Sequence, residues 1–208
     1  MLSPALRAPW LRARRRTLVL AAAVLTGVLL AVVLVAGWAG GGNSGVTDVA
    51  GSTSAVLYSA GHRPPAPDFT ATTLTGSRLS FSSYRGKMVV VNFWGSWCAP
   101  CRAEAPTLAV AAQQYRSAGV DFLGVDVRDT PASALAFTRE FGITYPSVSD
   151  TGSQITLDFT SAVPIAGTPT TLVIDRTGRI AGAIFGMGTH QELADILAKV
   201  NDEAAGGA

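Results

Sequence analysis

The chain holds two cysteines, and both fall in Trp97-Cys98-Ala99-Pro100-Cys101, where an apolar run gives way to a helical pattern. Two thiols so spaced suit thiol-disulfide exchange, in which a thiolate attacks a substrate sulfur and a second thiol nearby resolves the mixed disulfide. A helix beginning at the pair would aim unpaired backbone N–H groups and its positive dipole end at the first sulfur. That favours a thiolate on Cys98 and leaves Cys101, one turn inside, as the more shielded resolver. Two blander uses of the pair are weaker. A structural bridge closing so short a loop would restrict the unfolded chain little. A zinc site would need two further ligands, and the two histidines, His62 and His190, stand far off in the sequence.

Trp94 reads as core, and Trp97 as a shield over Cys98 that also meets substrate. Glu104 follows Cys101 by one helical turn, so the two share a face. Buried there, it would tune the thiols and shuttle protons at Cys101; solvated, it would only complement the helix dipole. Asp126 ends a strand, where a functional role is open to it but a solvated strand end is the expectation.

The elements that position these residues alternate between short apolar runs and helical patterns, the signature of an α/β sheet. Lys87 to Trp94 is almost wholly apolar and β-branched, as expected of a central strand covered on both faces. A helix is predicted from near Pro100 to about Ser117, a strand over Val120 to Val127, and a helix from Ala132 to Phe141 between Pro131 and Gly142. Thr170 to Ile174 and Arg179 to Phe185 form a hairpin turned at Asp175-Arg176-Thr177-Gly178. A last helix runs from His190 to about Val200, with Thr189 and Glu192 as a capping box. Between Asp150 and Ala166 only Gln154 to Phe159 looks helical.

Ahead of this domain the sequence changes character. Five arginines precede residue 17, and without them eleven basic residues face fourteen acidic ones, so the net charge of +2 conceals a slightly acidic folded part. That excludes the clustered basic surface a nucleic-acid binder needs. Residues 17–37 are uncharged and rich in Leu, Val and Ala, long enough for a helix to cross a bilayer. The arginines of segment 1–16 set the N-terminus in the cytoplasm and the rest outside, on the cell membrane; a cleaved signal is the alternative. Residues 38–66, rich in Gly, Ser and Pro, read as a tether, 67–203 as the domain and 204–208 as a tail.

The stretch from Asn92 to Pro106, Asn-Phe-Trp-Gly-Ser-Trp-Cys-Ala-Pro-Cys-Arg-Ala-Glu-Ala-Pro, resembles the active site of the membrane-anchored thioredoxin-like thiol-disulfide oxidoreductases, the TlpA/ResA/CcmG-like redoxins. The resemblance spans roughly Ala66 to Val200. It implies a thioredoxin-like fold, a central mixed β-sheet flanked by helices, following the transmembrane helix. Gly167-Thr168-Pro169-Thr170-Thr171 is similar to the family's cis-proline loop, which implies that Thr168 and Pro169 pair with the substrate chain. Thioredoxins themselves carry a buried aspartate where this chain has Asn92, so proton handling must lie elsewhere. The ResA-like branch carries a glutamate at the place of Glu104.

By resemblance, the function is reduction of disulfides in exported proteins, apocytochrome c before haem attachment being the best-supported substrate class, with a membrane thiol donor restoring the dithiol. No cofactor beyond the Cys98–Cys101 disulfide, no metal and no nucleic acid is expected, and the chain is expected to be a monomer. Three competing readings remain: a dithiol oxidase, a peroxidase suggested by Pro67-Asp68-Phe69, and a tethered haem- or partner-binding scaffold.

Overall fold

The structure, a computed structural model, describes residues 45–49 and 54–206. The basic segment, the apolar run 17–37 and the start of the expected tether lie outside the described residues, and among those described no helix is long and apolar enough to cross a membrane.

In chain order the strands are β1 (Val46–Asp48), β2 (Ala55–Tyr58), β3 (Thr70–Thr72), β4 (Arg78–Ser80), β5 (Met88–Trp94), β6 (Val120–Val127), β7 (Ser147–Asp150), β8 (Thr170–Ile174) and β9 (Ile180–Phe185). The α-helices are α1 (Ala99–Tyr115), α2 (Pro131–Glu140), α3 (Gln154–Thr160) and α4 (His190–Gly206). The main sheet runs β1-β2-β9-β8-β5-β6-β7, with β3 and β4 as a separate hairpin. β5 pairs in parallel with β6 and antiparallel with β8, which makes the sheet mixed.

Alternation along β5 builds both faces. Met88 and Val90 join Leu108 and Ala111 of α1 and Leu193, Ile196 and Leu197 of α4 on one side. Val89, Val91 and Phe93 join Ile155 and Phe159 of α3 on the other. Phe159 meets Phe93, Phe81 and Phe69 edge-on, at centroid distances of 5.3, 6.1 and 6.2 Å. The Pro67-Asp68-Phe69 segment therefore has a packing role, since Phe69 also stacks on Phe81 at 5.2 Å. A third cluster lies at the end of β5, where Trp94 packs with Cys98, Cys101, Ala105 and, from α2, Ala134 and Phe137.

The tether expected over 38–66 requires correction from Gly45 onward, because residues from there belong to the same compact unit as the rest of the domain. β2 adds to the edge of β9, with Ala55 opposite Ile184, and β1 adds to β2. Arg63 is buried, with its guanidinium 3.0 Å from Asp175 and paired also with Glu203 of the last helix. Strands this short, set among Gly and Ser, leave almost no periodic trace in the sequence. At the other end, α4 runs on to Gly206, past the expected boundary at 203.

Candidate functional site

β5 ends at Trp94, and the chain turns through Gly95, Ser96 and Trp97 into α1, whose N-cap is Cys98. The turn is tied down at three points: Cys98 N–H donates to Gly95 O (3.1 Å), Ser96 N–H to Asp129 Oδ2 (2.7 Å), and Trp97 Nε1–H to Val127 O (3.2 Å). Two of these anchors belong to the end of β6 and the turn after it, so a neighbouring parallel strand fixes where the helix starts.

Cys98 and Cys101 form a disulfide, with S–S 2.06 Å and Cα–Cα 5.2 Å. Cys98 Sγ accepts the Cys101 N–H at 3.2 Å. That amide is one of the helix's unpaired donors, and it would stabilise negative charge on the Cys98 sulfur once the bridge opens. The expected contrast in shielding is slight in the disulfide form, with Cys98 4% and Cys101 2% exposed. The helix position, rather than burial, separates their roles.

Trp97 is 54% exposed. Its indole is pinned to β6 and presents an open apolar plate beside Cys98, while Cys98 itself is buried in the cluster with Trp94, Ala105 and Phe137. Trp94 is core, stacked on Phe137 at 4.4 Å.

Glu104 is 2% exposed, so the solvated reading of it fails. Its Oε1 accepts Gly188 N–H at 2.8 Å and its Oε2 accepts Asn92 Nδ2–H at 3.2 Å. Burial pushes its pKa up to about 7; the Gly188 and Asn92 hydrogen bonds pull it back, and the Glu192 charge raises it again. A carboxyl poised near neutrality, one turn beyond Cys101, can hold or release a proton in the working range. The approach at Gly188 is close: a Cβ there would stand 3.1 Å from Glu104 Oε1, and the carboxyl would have to shift by a few tenths of an ångström. Tyr145 is buried close by, and burial with the Glu104 charge raises its pKa.

Asn92 acts here although it cannot ionise. It bridges Glu104 and Thr171 Oγ1, the latter at 3.0 Å, and so couples α1 to β8. The Thr168-Pro169 peptide is cis. The register puts Thr170 opposite Phe93, so this peptide lies at the same end of β5 as the disulfide. Pro169 O accepts the Gly186 N–H at 2.9 Å.

At two residues the structure goes beyond the sequence reading. Met187 sits between Gly186, bonded to Pro169, and Gly188, bonded to Glu104, and its side chain is 52% exposed. A lone Met in a Gly-rich loop carries no periodic signal. Asp126 is the other, and the expectation of a solvated strand end is corrected. It is wholly buried, 0% exposed, because β7 covers β6 on its outer side. β7 escaped prediction since Ser147, Ser149 and Asp150 interrupt any apolar run. Among the described residues no group of three or more His, Cys, Asp or Glu side chains could hold a metal ion.

The sequence model of the AhpC/TSA family matches residues 63–183. The thiol-disulfide oxidoreductase ResA of Geobacillus kaustophilus is 38% identical over 128 residues, 62% of this chain and 71% of that protein. Among solved structures, a DsbF homologue from Corynebacterium diphtheriae superposes with a TM-score of 0.65 at 31% identity, over 74% of this chain and 97% of its own. A secreted thiol-disulfide isomerase from Corynebacterium glutamicum does so at 0.67 and 28% identity, over 75% and 96%. With the dithiol turn, the buried glutamate and these likenesses in agreement, the chain belongs to the AhpC/TSA family as a thiol-disulfide oxidoreductase of thioredoxin-like fold.

Proposed function

We propose that the chain works outside the cytoplasm, held to the cell membrane by residues 17–37, as a reductase of disulfides in exported proteins. The observation that carries this reading is the Cys98 sulfur at the N-terminus of α1, receiving the Cys101 N–H, with the buried Glu104 one turn beyond. The Cys98 thiolate attacks one sulfur of the substrate disulfide, forming a mixed disulfide and expelling the other sulfur, which takes up a proton. Cys101, its proton passed to Glu104, then attacks Cys98 Sγ and frees the second substrate thiol. The substrate gains two electrons and two protons, and the chain is left with the Cys98–Cys101 disulfide. A membrane thiol donor returns the two electrons.

No separate cofactor is required, since the disulfide is the electron carrier. Trp97 and Met187, both open to solvent, offer apolar contact to the substrate chain, and Thr168 with Pro169 offers backbone beside the sulfur. Apocytochrome c before haem attachment is the proposed substrate. Replacing the resolver tests the scheme: Cys101→Ser should accumulate mixed disulfides with exported proteins, apocytochrome c among them. Failure to trap any exported protein through Cys98 would reject the proposal.

A further inference from the structure

Asp126 is the one fully buried carboxyl side chain whose two oxygens both lack a hydrogen-bond partner among the described residues. It stands beside Trp94 in the β5–β6 register, and Trp94 packs directly with both cysteines. Trp94 Nε1 and Ser147 Oγ are likewise buried and unpartnered. The latter two converge over Gly124, where a Cβ would lie 2.6 and 2.3 Å from them. Charge at Asp126 would be costly, because a carboxylate buried without a cation loses its hydration uncompensated. The charged groups that act on it are both acidic. Asp150, at the end of β7, is committed to α3, accepting the N–H groups of Ile155 (3.1 Å) and Thr156 (2.9 Å). Asp129, in the turn after β6, accepts Ser96 N–H and Thr130 N–H, each at 2.7 Å.

The two neighbours differ in their partners: Asp129 accepts two backbone N–H groups, which favour a charged carboxylate, while no N–H or hydroxyl reaches either Asp126 oxygen. Burial first, then the Asp129 charge, a carboxyl–carboxyl hydrogen bond with Asp129 and the Asp150 charge, raise the Asp126 pKa to about 7. A proton held on Asp126 therefore faces the Asp129 carboxyl, and its loss breaks that contact.

We infer that Asp126 is a proton-holding positioning residue whose protonation state sets, through Asp129, the grip on the Ser96 amide and hence on the turn that presents Trp97 and Cys98. With Asp126 neutral, Asp129 grips the Ser96 amide undisturbed. Loss of the Asp126 proton sets a buried charge against the Asp129 carboxyl, and relief comes by moving Asp129 off Ser96. That movement weakens the acceptor that holds the turn. A purely structural buried polar residue would have no such proton dependence. The consequence for Cys98 rests on the dithiol reading; the proton coupling between Asp126 and Ser96 does not.

The test is a pH titration of the full chain in its disulfide form, followed by NMR at the Asp126 carboxyl carbon and the Ser96 amide. The Asp126 carboxyl should titrate near pH 7, and the Ser96 amide shift should follow the same midpoint. Asp126→Asn should abolish the Ser96 step while Glu104 continues to titrate. Should that variant fail to fold, the titration of the unaltered chain decides alone. An Asp126 midpoint near the ordinary carboxylate value of about 4, or a Ser96 shift that ignores the Asp126 titration, would overturn the inference. Because the chain stays oxidised throughout, these outcomes are independent of whether it reduces any substrate. The functional arm uses reduced Glu104→Gln, in which the pH profile of Cys98 alkylation should keep one step beyond the thiol's own. Adding Asp126→Asn should remove that step, and its persistence would contradict the coupling to Cys98.

Discussion

At the scale of single residues, Glu104 and Asp175 give pH dependences of opposite sign. Glu104 holds its proton more tightly in the folded chain, its pKa being raised from 4.5 to about 7 by burial. Between those values the native state binds more protons than the unfolded one, so stability falls as pH rises through that window, by up to roughly 3 kcal/mol for this group. For Asp175, burial is outweighed by hydrogen bonds from Thr177, Arg179 and Arg63, which hold its pKa below the usual range. Its contribution is present above the unfolded carboxylate value and is lost as pH falls through its lowered one. Denaturant unfolding of the oxidised chain across pH should accordingly decline in midpoint from about pH 4.5 to 7. Glu104→Gln should make that decline shallower, leaving the part that Asp126 contributes. The same substitution should slow disulfide exchange by at least about tenfold, as loss of a positioned acid-base group does. A rate and pH profile matching the unaltered chain would remove Glu104 from the proton path.

Elements were legible where local pattern and burial agree. β5 and β6 are continuous apolar runs, and Thr189 and Glu192 form the capping box their spacing announced, with Glu192 N–H donating to Thr189 Oγ1 at 3.2 Å and Thr189 N–H to Glu192 Oε2 at 2.8 Å. Thr189→Ala should cost about 1 kcal/mol in denaturant unfolding. What stayed hidden depends on long-range partners. β1, β2 and β7 are three to four residues long; β2 pairs with the distant β9 and β7 with β6, while β1 is held only by adding to β2. The burial of Asp126 was hidden for the same reason, since it is imposed by a strand whose own sequence is polar. The space over Gly124 is a further product of packing. Gly124→Ala would drive a methyl into Trp94 and Ser147, and should destabilise the chain by about 1–3 kcal/mol. A neutral effect would mean that the Trp94 cluster can yield.

For the whole molecule, the disulfide pair and the helix it opens were readable from Cys-x-x-Cys at a strand-to-helix junction, whereas the extent of the domain was not. Arg63 ties the N-terminal extension to the hairpin turn and to the last helix, through Asp175 and Glu203. Arg63→Ala leaves Asp175 buried without its cation and should cost about 3 kcal/mol; a chain shortened to begin at residue 67 should be destabilised as well. An unchanged unfolding midpoint in both would return residues 45–66 to the status of a tether. On the proposed function, Cys98 and Cys101 interconvert between disulfide and dithiol as the working centre. The most direct measurement is the equilibrium of the chain with a graded glutathione or dithiothreitol redox buffer, read by tryptophan fluorescence from Trp94 and Trp97 and by thiol counting. A reversible two-electron transition at or below about −250 mV is the predicted result and fits a reductase. A potential near about −120 mV would reverse the proposed direction, and the absence of any reversible two-thiol transition would contradict the account itself.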